Sequence, residues 1–320
     1  STGNANFSGP TTISTTAGDA INITASTGSY TFNDLDITAL NGSGLVANAV
    51  GLVSVSGTGN SINATGGAAL DIDTATIDMT FDSLASTDSA SEGILLNNVT
   101  GAGASNGLQV TGQTSVTNST ATGIAIQETA ADIALGDLTV ATTGADGLAL
   151  NFNQTGNFTA GTTTISDTTS VGISVTNHQG NATFGDTTIT NTGADGILID
   201  NNAAGSNLVF NSANISNAAR SLVVSNNSGA LAINDTFSVT NSAQEGLLID
   251  SNNATATFEV NGVTTINNAN QASVAIQNND SSVTFADVTL LNRNGEGIDI
   301  DNSSGAMTFN DILIGTPAAG

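Results

Sequence analysis

Side chains that could take part in covalent or acid–base chemistry are scarce in this sequence of 320 residues. It has one histidine, two arginines (Arg220 and Arg293), and no lysine or cysteine. Thiolate nucleophiles, disulfides and cysteine-based zinc sites are therefore excluded. The histidine, His178, follows Asn177 in a polar run typical of a turn, so we expect a solvent-facing imidazole and not a catalytic one.

The 27 acidic residues dominate the electrostatics of the chain. They give a formal net charge of −25 and a pI near 4.1. Nucleic acids and anionic membrane surfaces are bound by clustered Lys and Arg side chains, so neither partner fits this sequence. It has no apolar run of about 18 residues and no N-terminal leader, which predicts no membrane insertion and a mature or excised chain starting at Ser1.

Four acids near one predicted corner, Asp200, Asp250, Asp299 and Asp301, offer the hard oxygen ligands that Ca²⁺ prefers. A D-x-D-x-D-G loop and a G-G-x-G-x-D repeat are both missing, so we predict no cofactor and at most weak Ca²⁺ binding. The sequence also lacks the paired aspartates and neighbouring basic residues that would cleave a polysaccharide. We therefore predict that the protein is not an enzyme.

An internal repeat reveals the elements that must position these side chains. A small residue followed by an apolar, a variable and an apolar residue recurs every 24 to 27 residues, with one spacing of 30. Each repeat holds three short apolar runs separated by Asn, Gly, Ser and Asp, as expected of short strands joined by turns. The small residues that start the repeats are Ala20, Gly44, Ala69, Gly93, Gly123, Gly147, Gly172, Gly196, Ser221, Gly246, Ser273 and Gly297.

The repeat predicts an all-β fold, a right-handed parallel β-helix with three strands per coil and about 12–13 coils of about 25 residues. We interpret residues 1–320 as a single domain with an irregular coil and an insertion around 97–122. Apolar residues one and three places after each start should point inward and stack between coils. Coils about 4.8 Å apart would form a rod about 60 Å long.

Asparagines recur at two positions of the repeat. Repeated amides at a turn can hydrogen-bond from coil to coil, and Asn tolerates the left-handed backbone of a sharp corner. We therefore predict two structural ladders. The ladder five residues after a start contains Asn98, Asn177, Asn201, Asn226, Asn278 and Asn302, and the ladder five residues before a start contains Asn118, Asn191, Asn241, Asn268 and Asn292, with Asp167 at the same place.

The residue before each start is acidic in six repeats, but it is Arg220 in one. Arg220 would lie one coil from both Asp195 and Glu245. This predicts an exposed charge stack of the three residues, worth about 0.5–1 kcal/mol, that relieves repulsion along the acidic row.

Two outward faces suggest contacts with other molecules. The residue two places after a start should face solvent, yet it is apolar at Val46, Leu95, Leu198, Val223 and Leu248. Such a patch usually marks a contact surface, and we expect lateral contact with another copy of the protein. Thr and Ser flank the inward residue of the third strand, so a hydroxyl face could bind ice or a surface glycan, although Thr is also a favourable exposed strand residue.

The stacked G-[IL]-x-[IL] runs, Asn turns and T-x-I-T strands resemble the parallel β-helices of bacterial surface proteins, namely autotransporter passenger domains and filamentous-haemagglutinin-like adhesins. The resemblance covers essentially the whole chain. It implies secretion, adhesion or fibre formation, with an extracellular or cell-surface location. Pectin lyases and polygalacturonases share this fold class, which keeps a polysaccharide-active enzyme as a third interpretation.

The repeat continues to both ends of the chain, through Phe7 and Ile13 at one end and Phe309, Ile312 and Ile314 at the other. Uncapped coils expose unpaired strand edges. We therefore expect a non-enzymatic extracellular protein that associates with itself, end to end and laterally, into fibres or a surface layer. The alternative is an adhesin module of a larger secreted protein that binds a glycan.

Overall fold

The predicted fold class is confirmed: the chain is all-β and forms a parallel β-solenoid of about 13 coils with turns of roughly 24 residues. The structure is a computed structural model that describes residues 2–103, 106–151 and 155–315. These residues form strands and turns and no helix. They therefore contain no helix that is long and apolar enough to span a membrane. The chain divides into two compact units, Ser1–Thr162 and Thr163–Gly320.

The described residues of the first unit form sixteen strands that pair in parallel with their equivalents about one coil away. They are β1 Ala5–Phe7, β2 Thr11–Thr15, β3 Ile21–Asn33, β4 Leu35–Gly42, β5 Leu45–Ser56, β6 Ser61–Gly66, β7 Leu70–Phe81, β8 Ser83–Thr87, β9 Ile94–Gly101, β10 Gly107–Val110, β11 Gln113–Ser119, β12 Ile124–Gln127, β13 Asp132–Leu135, β14 Asp137–Thr143, β15 Leu148–Asn151 and β16 Phe158–Ala160.

In the second unit, residues 163–315 form fourteen strands with the same parallel pairing. They are β17 Thr163–Thr168, β18 Ile173–Thr176, β19 Ala182–Thr192, β20 Ile197–Asp200, β21 Asn207–Ala218, β22 Leu222–Ser225, β23 Ala230–Ile233, β24 Phe237–Ser242, β25 Leu247–Asp250, β26 Thr257–Ala269, β27 Val274–Gln277, β28 Ser282–Leu291, β29 Ile298–Asp301 and β30 Met307–Ile314.

Strand alternation places the core of each unit inside the coils. In β12, Ile124 and Ile126 are fully buried, and they pair in register with Ile94 and Leu96 of β9. The middle strand of several coils supplies a buried phenylalanine. In the second unit the rings of Phe184 and Phe210 stack with centroids 4.5 Å apart and planes 5° from parallel. Identical apolar positions thus bury one another from coil to coil, which is how a thin solenoid obtains a continuous core.

The register of strand pairing locates the insertion within the predicted 97–122 region. Thr100 of β9 pairs with Thr76, a separation of 24 residues, whereas Leu108 of β10 pairs with Met79, a separation of 29. Five extra residues therefore enter the coil between β9 and β10. The separation reaches 30 at Thr114, which pairs with Leu84. Residues 104 and 105, in the middle of this insertion, lie outside the described residues.

Candidate functional site

Close packing explains why glycine starts so many repeats. A Cβ atom added to Gly93 would lie 2.3 Å from Cγ1 of Val116, and one added to Gly196 would lie 2.4 Å from Cγ2 of Ile215. These distances are too short for a side chain at either glycine, because the Cα atom packs directly against the core. At Ser221 a hydroxyl fits there, because its Oγ forms a buried 2.6 Å hydrogen bond with Oγ of Ser242.

The asparagines predicted as ladders occupy the sharp corners of the coils. All eleven predicted ladder asparagines have left-handed backbones with φ between 44° and 63°. A left-handed backbone costs most L-residues about 1–2 kcal/mol, but Asn accepts it more readily. The corner conformation therefore selects Asn before any side-chain contact is considered.

The row before the starts forms a continuous ladder in the second unit. Asn191 Nδ2 donates to Asp167 Oδ1 at 3.0 Å, Asn217 donates to Asn191 at 2.9 Å, Asn241 to Asn217 at 3.1 Å and Asn268 to Asn241 at 2.8 Å. Asn217 was missed in the sequence because it precedes its start by four residues and not five. Each amide in this ladder links two neighbouring coils.

The same row continues less regularly at two other predicted positions. Asn118 in the first unit donates to Asp88 Oδ1 at 2.9 Å. Asn292 donates to Asn267 Oδ1 at 2.9 Å, one residue away from the ladder position at Asn268.

The row after the first strand is discontinuous. Asn201 Nδ2 donates to Asn177 Oδ1 at 2.5 Å and Asn302 to Asn278 at 2.8 Å. The Nδ2 groups of Asn226, Asn278 and Asn98 donate instead to side chains that are not ladder asparagines. The acceptors are Asp200 for Asn226 at 2.9 Å, Asp250 for Asn278 at 3.3 Å and Thr74 for Asn98 at 3.2 Å. Carboxylates at the end of the strand thus compete with the amides for these donors.

A third, buried row of polar side chains lies next to this one. It contains His178, Asn202, Asn227, Asn252 and Asn279, each at most 3% exposed. The Oδ1 atom of each of Asn202, Asn227 and Asn252 accepts a hydrogen bond from the backbone N–H of the preceding member at 2.7–3.0 Å. Its sequence signal is the residue directly after each left-handed corner residue, which is Asn in four of the five coils, and its inward direction depends on the corner geometry.

His178 is therefore not solvent-facing, and the sequence prediction was wrong on this point. The turn directs its imidazole inward, and the side chain is fully buried. Burial lowers the pKa of His178 below its ordinary value because it penalises the charged ring, while the backbone of Asn181 acts in the opposite direction. A buried neutral imidazole that replaces a ladder Asn is in a structural position.

Arg220 forms an ion pair with one of its two predicted partners. Its Nε and one Nη atom each donate to a carboxylate oxygen of Asp195 at 2.8 Å. Asp195 is only 5% exposed, so the pair is more buried than predicted. The hydrogen bonds to Asp195 raise the pKa of Arg220. The negative charge of Glu245 also raises it, through electrostatic attraction.

The apolar outward residues of the second unit lie side by side on one sheet face. Leu198 pairs with Val223, Val223 with Leu248 and Leu248 with Ala275, on strands β20, β22, β25 and β27. Leu198 and Leu248 are half-buried, whereas Val223 and Ala275 are only 3% and 1% exposed, so the two leucines provide the accessible apolar surface. We call these four residues the leucine strip.

The corresponding row of the first unit is interrupted by a carboxylate. Asp71 lies between Val46 and Leu95 in the strand register. Burial raises the pKa of Asp71, and the nearby charges of Glu92, Asp19 and Asp73 raise it further. Val46 and Leu95 therefore do not join into an apolar surface.

The described residues show a dispersed arrangement of acids. Within 2–103, 106–151 and 155–315, no three His, Asp or Glu side chains are grouped as a metal site would require. The predicted Ca²⁺ ligands Asp200 and Asp250 instead accept hydrogen bonds from Ser225 at 2.7 Å and Ser251 at 2.9 Å.

Hydroxyl and amide groups cover other outward surfaces. In the second unit Thr164 pairs with Thr188 and Ser166 with Thr190, which places the predicted hydroxyls on adjacent strands of one face. A polar depression of about 370 Å³ is lined by Asn278, Asp280, Asn302, Ser303 and Ser304. A lining of this chemistry is what the glycan-binding alternative requires.

Comparisons with known proteins do not assign the chain to a family. No protein-family model matches the chain, and no curated protein or solved structure matches it significantly. The resemblance to autotransporter passenger domains and haemagglutinin-like adhesins thus has no support from relatives. The chain is a parallel β-solenoid.

Proposed function

We propose that this protein is a non-enzymatic structural protein of the cell exterior whose solenoid associates end to end with further copies of itself. The carrying observation is the surface of the last described coil. Ile300, Ile312 and Ile314 occupy positions that point inward in every coil, yet they are 45–49% exposed. One coil earlier the equivalent residues Ile276 and Leu290 are fully buried.

The backbone of this coil favours the addition of another. In the described chain, strand β29 pairs with β27 and β30 with β28, so each has a partner on one side. An added parallel coil would satisfy the free N–H and C=O groups and remove the isoleucine side chains from water. Further residues of a longer chain, or the first coil of a second copy, can supply these strands.

The first coil of a second copy has suitable chemistry for this position. Phe7 is 45% exposed, and its ring stacks on Phe32 with centroids 4.9 Å apart. Phe309 stacks on Phe285 in the same way, at 5.2 Å. Residues 1–18 contain no charged side chain, so this coil adds no acid to an already acidic surface. A contact between two different surfaces need not close into a ring, and stacking that continues the coils would extend it into an open filament.

The location outside the cell is inferred from the resemblance to bacterial surface proteins and from the composition. Immunogold labelling of intact source cells tests it, because only a surface protein is reached by the antibody without permeabilisation.

End-to-end association is tested by comparing Ile314→Asp with Leu313→Asp. Both variants add one charge and remove one aliphatic side chain from β30, but Ile314 occupies an inward position, equivalent to the buried Leu290, whereas Leu313 points outward. We expect wild-type protein and Leu313→Asp to form filaments in negative-stain electron microscopy at high concentration. Ile314→Asp should remain dispersed, because stacking would bury its carboxylate.

Two results would contradict the proposal. One is a wild-type protein that remains dispersed at every concentration, with Ca²⁺ or with EDTA. The other is an equal loss of association in both variants, which would point to general repulsion and not to the coil surface.

A further inference from the structure

We infer that the leucine strip of the second unit is a docking surface for a cationic amphipathic segment of another protein. The four strip residues lie on adjacent paired strands, so three spacings of about 4.8 Å make the strip about 14 Å long. Ser174 precedes the strip in register and Asp299 follows it, which gives it polar boundaries. This surface is separate from the end-to-end contact of the proposed function.

Carboxylates border the strip on both sides. Along the strands, the next side chains on the same face include Asp200 and Asp250, each two residues after a leucine. On the other side, the half-buried Glu245 precedes β25, whereas Asp195, before β20, is only 5% exposed and lies in its ion pair with Arg220. Arg220 offsets only one of these charges, because its guanidinium bonds Asp195. The surface thus combines an apolar centre with negative margins.

This charge pattern decides against a second copy as the occupant. The chain has no lysine, and one of its two arginines is already paired within the surface itself. Two strips facing each other would place acidic margins against acidic margins, which like-charge repulsion disfavours. Charge repulsion therefore disfavours, at this strip, the lateral self-contact that the apolar pattern of the sequence predicts.

The surface fits a segment with an apolar stripe between Lys or Arg residues. An amphipathic helix of about nine residues has the length of the strip at 1.5 Å per residue. Its apolar side chains would cover Leu198 and Leu248, and its basic side chains would reach the carboxylates on either side. Charge complementarity would speed the encounter, and the leucines would supply the contact that excludes water.

The probe for the test is a synthetic amphipathic helical peptide with a leucine stripe flanked by lysines, labelled with a fluorophore. A scrambled peptide of the same composition, with its leucines distributed around the helix, is the peptide control. Binding to the full chain is measured by fluorescence anisotropy. Using the Ile314→Asp variant as the common background keeps the protein dispersed, so that failure of the filament proposal does not affect this result.

The decisive comparison is between Leu198→Thr/Leu248→Thr and Val46→Thr/Leu95→Thr. Both pairs occupy the same outward position of the repeat, each within its own unit, but Asp71 separates the residues of the second pair. We expect at least tenfold weaker binding of the probe to the first variant and an unchanged affinity for the second. Asp200→Asn/Asp250→Asn should weaken binding severalfold and reduce its salt dependence.

Three outcomes would overturn the inference: equal effects of the two threonine variants, equal affinity for the scrambled peptide, or failure of the probe to bind. The first two would reduce the interaction to general attraction between opposite charges. Circular dichroism of each variant excludes unfolding as the cause of any loss.

Discussion

At the scale of single residues, the burial of polar groups decides which side chains are structural. Asp195 is almost enclosed, and Arg220 satisfies both of its carboxylate oxygens. His178 is fully enclosed in a row otherwise made of asparagines. In both cases a residue type that often takes part in catalysis has a structural role in the solenoid.

Removal of Arg220 should expose the cost of the buried carboxylate. We expect Arg220→Gln to destabilise the protein by about 1–3 kcal/mol, because Asp195 would lose two charge-assisted hydrogen bonds while remaining buried. The free energy of unfolding in urea measures the effect. Asp195→Asn/Arg220→Gln should be more stable than Arg220→Gln alone, and an equal or lower stability of the double variant would contradict this explanation.

The buried His178 should make stability depend on pH. Its pKa is lowered in the folded state, so the unfolded state, with a pKa of about 6.5, binds the proton more readily. The contribution to stability is complete above about pH 6.5 and is lost as pH falls toward the lowered folded pKa, by at most about 1.4 kcal/mol per pH unit. His178→Asn should lack this loss.

Thermal unfolding of both proteins between pH 8 and pH 5 measures the difference. The acids titrate in both proteins, so the comparison isolates the imidazole. Parallel stability profiles of wild type and His178→Asn would show that the ring does not titrate differently on folding.

At the scale of elements, corners and strands contribute through different mechanisms. The corner Asn residues combine a tolerated left-handed backbone with an amide that bonds the next coil. The strands contribute apolar side chains that stack in register, such as Phe184 on Phe210. The corners therefore set the repeat length and the coil-to-coil register, and the strands provide the apolar core.

Substitutions of Asn217 can separate the backbone contribution of a corner Asn from its hydrogen-bond contribution. Asn217 has a left-handed backbone, and its side chain donates to Asn191 and accepts from Asn241. We expect Asn217→Gly to cost about 0.5–1.5 kcal/mol for the two exposed amide bonds. Asn217→Ala should cost about 1 kcal/mol more, since alanine also opposes the left-handed backbone. Urea unfolding measures both, and equal costs would show that the backbone conformation is not the main reason for Asn.

At the scale of the whole molecule, the net charge of −25 governs how copies meet. Screening by salt weakens repulsion between acidic molecules and also weakens attraction to a cationic segment. End-to-end association should therefore strengthen with salt, whereas docking on the leucine strip should weaken. This opposite response distinguishes the apolar coil contact from the charge-assisted one.

The sequence by itself determined the coil architecture, the inward apolar positions and most of the corner asparagines. These features are local and periodic: residues such as Ile124 and Asn191 repeat at a spacing that a strand or a left-handed corner requires. Stacking of identical coils then turns a local pattern into a global fold, so periodicity was sufficient to predict it.

Only the tertiary structure decided where the irregular side chains lie. The inward turn of His178, the pairing of Arg220 with Asp195 and not Glu245, the ladder role of Asn217 and the position of Asp71 each depend on neighbours one coil away. One-residue changes in coil length and competition between amides and carboxylates set these contacts. Such differences leave the repeat intact, and they become visible only when the coils are stacked.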